Sequence, residues 1–410
     1  MVRAQFEPLA KLWGVENKKV PELLEREAKL IMIDGKLQQL LKNSYFGGTY
    51  IDVKANKINI NTVDQSKVKE VKNSLQMKEY KNYLRFKKAI NSLSQLKSTY
   101  VKIDKLIRKF DIINSIISIE HEVNNVVIYL EDKNDQNTKE FIESVKFFKP
   151  KIVYSSKKEE GKMVLNSFNS PTLVKKTQIN PMVVGGDRIV TWYNNIPFGC
   201  SAGFWMKDQD QSDEELLLVA GHCAYPYNDN SPKWFYHYYG DTPVLIGHME
   251  NYTLTPNDLG FIRKTNQSHI RAVPNIRNFK FPALANPTYV EYLILGSTKI
   301  TSTLSHICKS GYVTGISCGH VTSLDASIGS ETGDKTGGLL TSAYSVRGDS
   351  GGSMFQFRYS NFSIPYVNAV GILASGNLDN TPNNSRTYCE PLNKVFFEYG
   401  YSLVHHPLLE

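Results

Sequence analysis

A chain of 410 residues is longer than a single hydrophobic core usually supports, so two domains are the starting expectation. Its 41% hydrophobic content suits a globular protein, and no apolar run approaches the roughly 20 residues of a bilayer-spanning helix, so no membrane partner is expected. The net charge of +8 is unevenly spread: 33 of the 48 Lys and Arg and 21 of the 40 Asp and Glu precede residue 183, which leaves 15 and 19 beyond it.

The first half reads as α+β. Pro21 opens a helix that runs to about Ile31 and is broken at Asp34-Gly35. Alternating Tyr50, Asp52 and Ile58, Ile60 around Lys54-Ala55-Asn56 predict a hairpin. The strongest periodicity predicts a helix from about Tyr83 to Phe110, with apolar residues at 83, 86, 90, 93, 96, 100, 103, 107 and 110 on one stripe that core packing accounts for. Ile116 to Leu130, interrupted by Asn124-Asn125, predicts a second hairpin, and Thr138 to Phe148 a further helix. The basic residues follow these amphipathic segments without a stacking-aromatic motif, so nucleic acid is not an expected partner. A solvated basic surface and an attraction toward the acidic half both account for the charge. Residues 1 to 30 contain no apolar segment of about 7 to 15 residues, so no signal peptide is visible.

Periodicity is lost between 155 and 182, which reads as a linker, and beyond it the texture turns to short β-type runs. These are Ser201 to Met206, Leu216 to Ala220, Val244 to His248, Leu259 to Arg263, Tyr289 to Leu295, Gly311 to Ile328, Ser353 to Phe357 and Tyr366 to Ala374. Strands at this spacing predict an antiparallel barrel or sandwich, with Pro391 to Tyr399 as a closing helix. All five cysteines (Cys200, Cys223, Cys308, Cys318, Cys389) lie in this half, as do the sequons at Asn251, Asn266, Asn361 and Asn383. That pattern suggests a secreted, disulfide-bearing glycoprotein, although reduced core cysteines would give the same count. A metal site is the rival, but the paired Cys-x-x-Cys form is missing.

Chemistry concentrates at Arg347-Gly348-Asp349-Ser350-Gly351-Gly352-Ser353. Glycines on both sides of a serine let the backbone turn sharply, expose the hydroxyl and bring amides toward one point, which an acyl-transfer nucleophile needs. The same Gly-x-Ser-x-Gly also fits the nucleophile elbow of an α/β-hydrolase, which requires its acid and then its histidine downstream. Only Asp379 and then His405 or His406 are available there. Upstream stand Ala220-Gly221-His222-Cys223 and Asn257-Asp258-Leu259-Gly260-Phe261-Ile262-Arg263, which supply the order His, Asp, Ser.

With these motifs the second half resembles the bacterial chymotrypsin-fold serine endopeptidases of the streptogrisin and alpha-lytic protease group. The resemblance is carried also by Val183-Val184-Gly185-Gly186-Asp187, Cys200-Ser201-Ala202-Gly203-Phe204, Cys308-Lys309-Ser310-Gly311 with Thr314-Gly315 and Cys318-Gly319, and Tyr399-Gly400-Tyr401-Ser402-Leu403-Val404. It implies a mainly β protein, a chymotrypsin-like double antiparallel β-barrel at 183–410 preceded by an α+β prosegment at 1–154 and a linker with the processing site at 155–182. Phe46-Gly47-Gly48-Thr49-Tyr50-Ile51-Asp52 is the quotable match in the prosegment. His222 would then be the general base, Asp258 its orienting acid and Ser350 the nucleophile, with the amides of Gly348 and Ser350 as oxyanion hole. The resemblance pairs Cys200 with Cys223 and Cys308 with Cys318. Tyr344 stands where the group has another cysteine, so Cys389 is expected as a buried free thiol. Lys309 stands where the group has an arginine, and a Lys309–Asp349 ion pair is expected by analogy, a surface lysine being the alternative. Activation would then not wait on a freed amino terminus.

Ser342, Ala343 and Tyr344 are expected along one side of the substrate pocket, with Ser375, Gly376 and Asn377 on the edge that pairs with substrate and Ser375 near Asp258. None is charged, so an apolar or small residue before the scissile bond is expected, and self-cleavage after Met182 would fit. No cofactor or metal is expected, and the partners are a polypeptide substrate and the chain's own prosegment. Retention of the whole triad weighs against a catalytically silent binding protein on the same fold. An esterase of the α/β-hydrolase type would need helices between parallel strands after Ser350, where strands alone are predicted.

Overall fold

The computed structural model describes residues 6–131, 135–155, 181–208, 214–225, 232–239, 242–278, 291–359, 365–376 and 385–407. Among these, no helix is long and apolar enough to cross a membrane.

The second half is built on two antiparallel sheets that bend into barrels. In the first, eight strands run in the spatial order Tyr401–Leu403, Phe204–Asp208, Glu215–Val219, Leu259–Lys264, Thr242–Thr253, Lys233–Tyr239, Arg188–Tyr193 and Ile196–Ser201. The last of these is joined to Phe204–Asp208 by Ala202 and Gly203 alone, so the sheet has to curl until its two ends meet. In the second, the strands His306–Gly311, Gly315–Gly329, Lys335–Thr341, Thr387–Pro391, Tyr366–Gly376 and Ser353–Phe357 pair in a complete antiparallel cycle. This is the double barrel expected from the sequence. The segment expected as one run from Gly311 to Ile328 is part of a hairpin that turns at 312–314, and Lys233–Tyr239, Arg271–Arg277, Lys335–Thr341 and Thr387–Pro391 are strands the sequence reading did not name. The closing helix is Leu392–Tyr399.

The first half is α+β, and both expected hairpins form, Phe46–Asp52 with Lys57–Thr62 and Ser115–Glu120 with Asn125–Glu131. Two expectations are corrected. The helix expected from Tyr83 starts at Leu93 and runs to Lys109, because Ser92 and Gln95 form a reciprocal capping box. Leu84–Lys88 is a strand beside Lys57–Thr62, and Ile90, assigned to the buried stripe, is 87% exposed. The helix expected to break at Asp34-Gly35 continues through them as Val20–Gln38. Asp34 is held by Gln38 Nε2 at 2.8 Å, one turn on, and by Ser302 Oγ at 2.6 Å, a contact that a local reading of the chain does not contain.

The halves share a core. One continuous apolar cluster includes Trp13, Leu24, Leu30 and Ile58 from the first half and Val183, Phe204, Tyr292 and Phe355 from the second. The strand Ser115–Glu120 pairs with Gly315–Gly329 through Ser118 opposite Ala326 and Ile116 opposite Ile328, so the N-terminal sheet extends the second barrel. Glu27 is buried against His306: Oε1 accepts the His306 backbone N–H at 2.7 Å and Oε2 meets ring Nδ1. The Phe357 N–H donates to His306 Nε2 at 2.9 Å, which fixes the ring proton on the nitrogen facing Glu27. In Glu27→Ala both donors lose their acceptor, and each orphaned group costs ~1–3 kcal/mol. The urea midpoint is expected to fall clearly, whereas Glu22→Ala, which removes an exposed pair with Arg26, changes it little.

Candidate active site

The turn Gly221–Ala224 follows the fully buried end of Glu215–Val219 and leaves the His222 side chain 27% exposed. Asp258, just before the strand Leu259–Lys264, is buried completely. Its Oδ1 accepts the His222 backbone N–H at 2.8 Å and its Oδ2 lies 2.7 Å from ring Nδ1. A carboxylate only accepts, so Nδ1 carries the proton and Nε2 is left as the basic nitrogen. Burial alone would raise the Asp258 carboxyl, but the charge and hydrogen bond of His222 and the charge of Lys335 outweigh it and hold the carboxyl below its usual value. A carboxylate held low stabilises the fold above its unfolded value and loses that contribution only as pH falls through the lower, folded one. Asp258 is therefore ionised throughout the range in which an imidazole titrates.

Ser350 sits on a tight loop between Lys335–Thr341 and Ser353–Phe357. Gly348 has φ +99°, and a Cβ there would lie 2.7 Å from Val313 Cγ2, so only glycine fits. The next amides turn inward: Gly351 N–H donates to Leu373 O at 2.7 Å and Gly352 N–H to Asp349 O at 3.0 Å. The amides of Gly348 and Ser350 donate to no described residue. Ser201 ties this loop to the histidine. Its N–H donates to Ser350 O at 2.8 Å and its Oγ to Gly348 O at 2.9 Å, while the preceding Cys200 is bonded to Cys223, the neighbour of His222. Ser350 Oγ makes no hydrogen bond to a described residue, so the serine–imidazole contact is the one link left open. Such contacts are commonly long and tighten as the reacting complex forms.

Beneath the loop, Lys309 and Asp349 are fully buried with Nζ 2.8 Å from Oδ2. Asp349 also accepts the N–H groups of Val313, Thr314 and Val346 at 3.0 to 3.1 Å and the Thr314 hydroxyl. Lys309 donates to Gly315 O at 3.0 Å and to Thr314 Oγ1. Burial pushes its ammonium down and Asp349 opposes the push. Cys308 is bonded to Cys318 across adjacent strands, and Cys389 is a buried free thiol that burial pushes well up. Cys200, Cys223 and His222 lie within 4.8 Å of one another, but both sulfurs are used in the disulfide, which removes the thiolates a metal would need.

The expected pocket residues are brought only partly together. Ser342 Oγ accepts the His320 N–H at 2.9 Å, Ala343 is fully buried, and Tyr344 accepts Ser317 Oγ through its carbonyl. A Cβ on Gly376 would lie 2.2 Å from Ser345 Oγ, so Gly376 lies against the residue that follows Ser342–Tyr344. Ser375 lies in the strand Tyr366–Gly376 opposite Tyr388, and the polar groups recorded at Asp258 besides His222 are Lys335, with Nζ 3.7 Å from Oδ2, and Glu390, whose Oε1 accepts the Asp258 N–H at 3.1 Å. Asn377 and most of the linker lie outside the described residues, as do Asn361 and Asn383. The Met182–Val183 bond lies inside the strand Met182–Gly185, paired with Arg271 and Ala272, and Val183 O accepts Trp205 Nε1 at 2.7 Å.

No family model matches the chain. Serine protease 2 of Streptomyces fradiae is 31% identical over 157 residues, which cover 38% of this chain and 79% of that protein. The chain belongs to the streptogrisin-type serine proteases. Within that family, streptogrisin-D of Streptomyces griseus is 26% identical over 232 residues, 54% of this chain, and the chain spans only 48% of its length. Among solved structures, protease A of Thermobifida fusca is 22% identical and covers 55% of this chain and 100% of its own, with a TM-score of 0.41.

Proposed function

We propose that this chain is a secreted serine endopeptidase made as a proenzyme, with His222 as general base, Asp258 orienting it and Ser350 as nucleophile. The observation that carries the reading is the buried Asp258 carboxylate, which holds both the backbone and the ring nitrogen of His222. In the proposed reaction Ser350 Oγ adds to the carbonyl carbon of a peptide bond as its proton passes to His222 Nε2. The carbonyl oxygen takes the negative charge beside the Gly348 and Ser350 amides. Imidazolium returns the proton to the leaving amine, the C–N bond breaks and an acyl ester remains. Water, deprotonated by the same nitrogen, then hydrolyses it. Asp258 keeps its charge throughout and stabilises the imidazolium.

Residues 1–154 would be the prosegment and 155–182 the segment that is cut. The shared core and the strand pairing at Ala326–Gly329 support its docking before the cut. Two disulfides near the site support an oxidising compartment. The uncharged residues at 342–344 favour a small or apolar side chain before the scissile bond.

Treatment with a fluorophosphonate probe is expected to modify Ser350, and not Ser353 three residues on. A processed protein that stays unlabelled at Ser350 would sink the peptidase reading and leave a silent binding protein. Sequencing of the secreted species is expected to find a new amino terminus near Val183.

A further inference from the structure

We propose that Lys335 is a positioning residue for the Asp258–His222 pair, a buried ammonium that fixes the carboxylate and sets the acid limit of activity. The inference rests on the peptidase reading and adds a residue that the sequence motifs do not contain.

Lys335 is only 3% exposed, yet it lies one turn from solvent-facing Glu331. Its Nζ is 3.7 Å from Asp258 Oδ2, the oxygen that also takes His222 Nδ1 at 2.7 Å. Two hydroxyls aim the ammonium, Ser330 Oγ and Thr332 Oγ1, each at 3.0 Å. The turn is itself anchored to the aspartate loop, because Thr336 N–H donates to Pro256 O at 3.0 Å.

The other charged groups around Asp258 are already matched. Glu390 accepts the Asp258 N–H and is paired with Lys394 at 2.8 Å. Lys394 also donates to Asn257 Oδ1 and Thr336 O, and Asn257 in turn donates to Glu398. Asp334, next to Lys335 in the chain, faces Arg108 at 3.7 Å. Among the described residues, Asp258 is the carboxylate within ion-pair reach of Lys335.

The consequence follows from where charge moves. A fully buried carboxylate is costly to ionise, and an ammonium beside it offsets that cost. When His222 takes the serine proton, a second positive charge forms against the same oxygen. Lys335 opposes that charge across the shared oxygen, so the carboxylate holds it less firmly than it would alone. Without Lys335 the carboxylate would attract the imidazolium unopposed.

The test uses the processed enzyme and a p-nitroanilide peptide with an apolar residue before the cleaved bond. In Lys335→Met the acid limb of kcat/KM is expected to move up by about one pH unit, and Lys335→Arg, which keeps the charge, is expected to restore the wild-type limb. A lysine with a purely structural role would lower stability or kcat and leave the limb where it is, and that result would overturn the proposal. Should Lys335→Met not fold, the double variant Ser330→Ala, Thr332→Ala keeps the lysine and loosens it. An upward move of smaller size supports the proposal, and an unmoved limb rejects it. An inactive wild type, unlabelled at Ser350, rejects the peptidase reading and this proposal together; an active wild type with an unmoved limb in the variants rejects Lys335 alone.

Discussion

In Ser350→Ala, peptide hydrolysis is expected to fall by roughly six orders of magnitude while the fold is kept. The hydroxyl is half-buried and bonds to no described neighbour, so its removal leaves no polar group stranded and opens no cavity of consequence. The loss is chemical, because the proposed reaction forms its acyl ester on this hydroxyl. The comparison that separates this from general damage is non-additivity. His222→Ala is expected to cost a similar factor, and the double variant no more than either alone, since imidazole and hydroxyl act as one unit. Unfolding by urea should be unchanged in Ser350→Ala to within about 0.5 kcal/mol. Residual activity of even a few per cent in the alanine variant would place the nucleophile elsewhere. The same variant reports on maturation: if the cut near Val183 is made by the enzyme itself, the secreted chain stays whole.

Lys309→Met is the second large effect. It leaves Asp349 as a fully buried carboxylate without its cation, a change that costs ~3–5 kcal/mol in comparable sites. Three backbone N–H groups and the Thr314 hydroxyl still hold the carboxylate, so the chain is expected to fold with a lowered urea midpoint. The kinetic consequence is expected in kcat more than in KM, because Asp349 lies between Gly348 and Ser350, the two residues whose amides are proposed to stabilise the developing oxyanion. Removing both charges in Lys309→Met, Asp349→Leu is expected to recover part of the stability, since two apolar side chains no longer strand a charge. Activity is not expected to return, since the three amides that the carboxylate organises lose their acceptor. If the single variant is as stable as the wild type, the pair is not what holds the loop.

The motif residues were legible because their chemistry constrains sequence directly. Gly348 needs its left-handed backbone, Cys200 and Cys223 need each other, and Asp258 needs a buried start of a strand, so each leaves a mark in a few adjacent letters. The short β-type runs located several of the barrel strands, among them Glu215–Val219, Leu259–Lys264, Ser353–Phe357 and Tyr366–Gly376. What stayed hidden was set by contacts distant in the chain. Lys335 closes the stretch Glu331-Thr332-Gly333-Asp334-Lys335, for which the sequence carried no expectation, and its burial beside Asp258 depends on a loop far off in the chain, to which Thr336 N–H is bonded at Pro256 O. Glu390, just before the helix expected from Pro391, falls in the strand Thr387–Pro391, and its contact with the Asp258 N–H is not marked in its neighbours. The over-long helix from Tyr83 was a matter of one missed local signal: Ser92 and Gln95 mark its true start, and a stripe counted through them crosses from a strand into a helix. Gly35 failed as a breaker because Ser302, far along the chain, anchors the helix just beside it.

If the chain is cut as proposed, the pairing of Ser115–Glu120 with the barrel strand makes scission and separation different events. Once the connecting segment is severed, the fragments remain a two-chain particle held by sheet hydrogen bonds and a common apolar interior, and parting would lay bare a raw sheet margin at Ala326–Gly329. Its lifetime is then governed by how fast the smaller fragment is digested, so a burst of turnover should lag behind the appearance of cut chains on a gel.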